Sequence, residues 1–61
     1  MKQFKISFYK RRRDWIPSAI YYREFSSWKE LQEWCKSMQN SCGYYRFFDE
    51  KISPETYLKN I

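Results

Sequence analysis

Ser26–Phe48, SSWKELQEWCKSMQNSCGYYRFF, is the stretch that decides how this 61-residue chain folds. Ser26 or Ser27 can cap a helix by accepting a hydrogen bond from an orphan backbone N–H. Glu30 follows Ser27 at capping-box spacing. Trp28, Leu31, Cys35 and Met38 recur at i, i+3, i+7 and i+10 and share one helical face, while Lys29, Glu30, Gln32, Glu33 and Lys36 occupy the other. The pattern predicts a helix from about Ser27 to Gln39. Gly43, the only glycine, separates it from an aromatic strand predicted over Tyr44–Asp49. Trp34 lies at the edge of the apolar stripe, about 100° from Cys35. It is expected as a flank of the core or, if exposed, as an extension of an interaction surface.

Working back from the helix, Phe4, Ile6 and Phe8 alternate with Gln3, Lys5, Ser7 and Tyr9, the signature of a half-buried strand over Lys2–Lys10. Arg11-Arg12-Arg13-Asp14 interrupts the alternation, and Pro17 holds Ile16 extended and closes the loop. Ser18–Phe25 is a second strand, rich in β-branched and aromatic residues. Its inward row is expected to be Ile20 and Tyr22, because the other row, Ala19, Tyr21, Arg23 and Phe25, would bury Arg23. Phe25 can still turn inward as a hydrophobic staple at the helix start. The two strands should form an antiparallel hairpin with the basic loop at its tip. Beyond the third strand, Ser53-Pro54-Glu55 carries a capping serine, proline at N1 and an early acid. A short C-terminal helix is expected there, docked loosely through Tyr57, Leu58 and Ile61. The fold class is therefore α+β: a three-stranded antiparallel sheet packed on one helix, in the order β-β-α-β, with a short helix at the end. Residues 1–61 are expected to form a single domain.

A chain this short buries only about 60% of its unfolded surface. Fourteen aromatic residues exceed what such a core can hold, so some belong on the surface. The net charge of +5 is uneven. Lys2, Lys5, Lys10, Arg11, Arg12, Arg13 and Arg23 oppose only Asp14 and Glu24 in residues 1–25, whereas residues 26–61 balance. A basic N-terminal part suits a polyanionic partner, either nucleic acid or an acidic protein groove. There is no signal-peptide pattern and no apolar run of membrane-spanning length, and the two cysteines fit a reduced protein with Cys35 in the core. These features lead us to expect a cytoplasmic protein.

No histidine is present, so imidazole acid–base catalysis and imidazole metal ligation are excluded. Cys35 and Cys42 lack the paired spacing of a zinc site, and one glycine cannot form a phosphate-cradling loop. No catalytic residue, metal site or cofactor is expected, and the chain is read as a non-enzyme. The candidate binding residues are Lys10, Arg11, Arg12, Arg13 and Trp15 at the hairpin tip, with Tyr21, Arg23, Tyr44 and Arg46 on the sheet face away from the helix. Four consecutive cations can neutralise phosphates or enter an acidic cleft, and Trp15 can stack on a base or anchor a protein interface. The same residues also fit plainer roles: a solvated loop with Trp15 folded back as a lid, and Tyr–Arg pairs that stabilise a sheet.

The layout of residues 2–50, strand, KRRR loop, strand, FSSWKELQEWCKSM helix and GYYRFF strand, resembles the compact sheet-plus-helix design of small phage host-takeover proteins. That group includes inhibitors of bacterial RNA polymerase and small anti-CRISPR proteins. The resemblance implies a phage-encoded binder that blocks a host protein of nucleic-acid metabolism or defence, acting as a monomer or homodimer in the host cytoplasm. Direct binding of single-stranded nucleic acid through the basic loop and aromatic sheet face is the alternative.

Overall fold

The computed structural model describes residues 1–61. Three strands and two helices follow in the order β1 (Lys2–Tyr9), β2 (Ala19–Phe25), α1 (Trp28–Cys42), β3 (Arg46–Ile52) and α2 (Pro54–Lys59). The sheet is antiparallel with spatial order β2-β1-β3, so the first strand made is the central one. The fold is α+β: a three-stranded sheet with α1 across one face and a short helix at the C-terminus.

Register decides which side chains meet the helix. Phe4, Ile6 and Phe8 stand opposite Arg23, Tyr21 and Ala19 on β2, and opposite Lys51, Asp49 and Phe47 on β3. Residues directly opposite share a face, so all nine lie on the α1 side. The core consists of Phe4, Ile6, Phe8, Phe25, Leu31 and Cys35, with Ala19, Tyr21, Trp34, Met38, Tyr44 and Phe47 packed around it. This reverses the row expected to face inward on β2: Ile20 is 46% exposed and points away from α1, while Tyr21 and Phe25 point towards it. Arg23 faces the helix side without being buried. On an edge strand its long stem can reach outward, and its guanidinium lies 5.3 Å from the Tyr21 ring centroid and 5.9 Å from that of Trp34.

Helix α1 begins as expected. The Ser27 side chain accepts the Glu30 N–H, and the Ser26 hydroxyl meets the Glu30 carboxylate. It runs one turn beyond the predicted end, to Cys42. Gly43 then adopts φ 71°, and its N–H returns to the Gln39 carbonyl. That left-handed position is one only glycine holds without strain. The helical stripe is rotated from the expected one: Trp28 is 61% exposed, and Trp34 takes its place against Phe8, Tyr21 and Phe25. β3 also starts two residues later than expected. Tyr44, leaving Gly43, stacks on Phe8 with ring centroids 4.8 Å apart and is spent on the core before the strand begins. α2 is capped by Ser53 and comes back against β1. Its docking is loose, as expected, but rests on Tyr57, which is half-buried, whereas Leu58 and Ile61 are exposed.

Candidate binding surface

The tip between β1 and β2 is built by a turn that Asp14 closes on itself. The Asp14 N–H donates to the Arg11 carbonyl at 3.1 Å, and the Arg11 N–H donates to the Asp14 carboxylate at 3.2 Å. Asp suits such a turn because its short side chain can satisfy nearby backbone donors. At the base of the loop, the Ser18 N–H donates to the Phe8 carbonyl at 2.8 Å. Lys10, Arg11, Arg12 and Arg13 are all exposed around this turn. Trp15 is 81% exposed and Ile16 63%. Trp15 is thus a free aromatic surface beside four cations, not a lid on the core. The two shallow concavities of the molecule both lie here, one lined by Arg11, Arg12 and Arg13, the other by Arg13, Asp14, Trp15 and Ile16.

The remaining sequence candidates divide. Arg46 does lie on the sheet face away from α1, opposite Tyr9. Its guanidinium carbon sits 3.8 Å from the Tyr9 ring centroid, and its Nη2 donates to the Asp14 carbonyl at 2.8 Å. Tyr21, Arg23 and Tyr44, expected on the same face, belong instead to the α1 side. Tyr21 and Trp34 meet edge-to-face at 5.6 Å with Arg23 over both, and Tyr44 lies against Phe8. Burial raises the Tyr44 phenol above its ordinary pKa, with smaller contributions from Tyr21 and Cys42. These three residues brace the core, and the expected single aromatic platform does not form.

The face turned from α1 carries Lys5, Ser7 and Tyr9 on β1, Ile20, Tyr22 and Glu24 on β2, and Arg46, Phe48, Glu50 and Ile52 on β3. Ser7 is buried at its centre, flanked across the strands by Ile20 and by Phe48, which is 56% exposed. Lys5 and Arg46 balance Glu24 and Glu50, so this face has no net charge. Ile16, Ile20 and Phe48 are surface residues that sequence reasoning missed. For Phe48 a signal is present: Tyr45 and Phe47 alternate with Tyr44, Arg46 and Phe48, so at least one aromatic row must face away from the helix.

Burial pushes the Cys35 thiol up to about 11, and the nearby Asp49 charge adds to the shift. Cys35 is fully buried and Cys42 exposed, both as free thiols. The structure assembles no group of three or more His, Cys, Asp or Glu side chains able to hold a metal ion, and no helix is long and apolar enough to cross a membrane. Compared with protein families, curated proteins and solved structures, the chain finds no match.

Proposed function

We propose that this chain is a small non-enzymatic binding protein, phage-encoded, that lodges its basic tip in an acidic or nucleic-acid-binding region of a larger host protein and blocks that region sterically in the host cytoplasm. The observation that carries this reading is the exposure of Trp15 and Ile16, at 81% and 63%, directly beside Lys10, Arg11, Arg12 and Arg13. Tryptophan and arginine dominate the energetics of protein interfaces when a partner desolvates them. The cations supply long-range attraction to an acidic surface. The face away from α1 fits a protein partner better than a nucleic acid, because its exposed Ile20 and Phe48 sit among charges that cancel.

Direct nucleic-acid binding is the second reading, and the Lys10–Arg13 run favours it, since four adjacent cations could neutralise several phosphates. It loses the stacking platform first expected for it, because Tyr21 and Tyr44 are packed against the core.

Capture from a nuclease-treated bacterial lysate separates the two. Wild-type protein should retain a host protein that the Arg12→Glu, Arg13→Glu double variant and the Trp15→Ala variant both release. Equal retention by all three, or no retained protein, refutes the occlusion reading. Binding of a short labelled single strand that falls steeply with salt and is lost in the double variant would favour the second reading instead.

A further inference from the structure

We infer that Arg46 is a positioning residue that rests on Tyr9 and props the basic tip in its binding shape through Asp14, and is not itself a contact to the partner. This rests on reading the tip as the binding element. The sequence places Arg46 among the surface cations, but its guanidinium is already engaged twice. Its carbon lies over the Tyr9 ring, 3.8 Å from the centroid, and its Nη2 donates to the Asp14 carbonyl at 2.8 Å. A planar fork can stack and donate at once, which a lysine ammonium cannot. Tyr9, the last residue of β1, is itself anchored, since its carbonyl accepts the Tyr45 N–H at 2.8 Å. The loop is therefore tied to β3 as well as to its own two strands.

The tie falls at the residue that organises the turn. Asp14 holds the Arg11 N–H with its carboxylate and the Arg11 carbonyl with its own N–H, and Arg46 holds the remaining Asp14 carbonyl. Arg11, Arg12 and Arg13 sit between these anchors, so their directions depend on where Asp14 is fixed. Ordering a loop of long cationic side chains before binding lowers the entropy lost when a partner arrives. Arg46 thus acts on affinity through Asp14, at no cost in net charge at the tip.

The test is backbone {1H}–15N NOE and amide exchange on the intact chain. Arg46→Ala should lower the NOE at residues 11–15 and speed exchange of the Arg11 and Asp14 amides by about two- to fivefold, the range expected when an exposed cation–π contact is lost. The Leu31 amide, bonded to the carbonyl of the Ser27 cap at the start of α1, should not change. Arg46→Lys, which keeps the charge, should restore little of the loop order, and Tyr9→Phe, which keeps the ring, should behave as wild type. If Arg46→Ala proves too unstable to study, Arg46→Lys carries the same comparison. A tip as ordered in these Arg46 variants as in wild type, or one that Arg46→Lys fully restores from the Arg46→Ala loss, overturns the inference. These readouts need no partner. A failed lysate capture would therefore remove the proposed function and leave the strut intact, and the reverse also holds.

Discussion

Replacing Phe8 with alanine should leave the chain largely unfolded at 25 °C, while the same change at Phe48 should be nearly silent. Phe8 is fully buried, and its ring lies 4.8 Å from Tyr44, 5.8 Å from Tyr21 and 6.0 Å from both Trp34 and Phe47. Truncating a buried phenylalanine costs about 3–5 kcal/mol. Each aromatic pair adds roughly 0.5–1.5 kcal/mol beyond the buried area, so four such neighbours put Phe8 at the upper end. A domain of this length has about 3–9 kcal/mol of total stability. The loss is therefore comparable to everything the fold has. Phe8→Leu, which retains apolar volume, should cost roughly 1–2 kcal/mol and remain measurable. Urea unfolding followed by far-ultraviolet circular dichroism is the assay. The midpoint should fall for Phe8→Leu with an unchanged slope, and Phe8→Ala should lack a folded baseline. Phe48, more than half exposed opposite Ser7, should cost less than about 1 kcal/mol. A Phe8→Ala protein that keeps a midpoint close to wild type, or a Phe48→Ala protein that loses as much, would refute the assigned register.

Four further expectations follow from the same packing. Iodoacetamide at mildly alkaline pH should label Cys42 quickly and Cys35 only on unfolding, as mass spectrometry of the two peptides would show; equal rates would contradict the burial of Cys35. Because the folded Cys35 thiol titrates near 11 and an unfolded one near 9, its contribution should be flat below pH 9. It should then be lost between about pH 9 and 11, a component that Cys35→Ala should remove from a stability–pH series while the alkaline component from the raised Tyr44 phenol remains. Gly43→Ala should cost about 1–2 kcal/mol and lower the melting temperature, although a Cβ there would meet nothing, because the penalty comes from φ 71° alone. Trp34→Ala should destabilise by about 2–3 kcal/mol, because Trp34 is only partly buried, and Trp28→Ala by less than about 1 kcal/mol in parallel urea titrations, an ordering opposite to what the helical stripe alone suggests.

How far the sequence carries can be followed residue by residue. Phe4, Ile6 and Phe8 announce β1 because every second residue is apolar, and Ser27 with Glu30 and Ser53 with Pro54 mark both helix starts by local chemistry. The inward row of β2 is not local. It depends on Phe8 standing opposite Ala19, and Arg23 can face inward without being buried. On an edge strand those are different conditions, and the guanidinium meets solvent over two aromatic rings. Trp28 and Trp34 are both compatible with a helix face. Only the angle at which α1 crosses the sheet selects Trp34. At the tip, the run of cations and the exposed Trp15 are visible in the primary structure, whereas the contact of Arg46 with Tyr9 and Asp14 joins distant parts of the chain and leaves no local trace.

The sheet order β2-β1-β3 also separates a local strand pairing from a distant one. β1 and β2 are neighbours in the chain and can pair early, but β3 closes Gln3 onto Ile52 and Tyr9 onto Arg46, joining nearly the whole length of the polypeptide. Such distant closure is slow relative to local pairing. Until it happens, β1 presents an unpaired edge, and Phe8 lacks the rings of Tyr44 and Phe47. The nascent hairpin is then at its most adhesive, with bare backbone donors beside an uncovered aromatic row. The four adjacent cations at its turn already repel a second hairpin at that stage, so the charge proposed to draw a partner to the finished molecule would also keep unfinished copies apart.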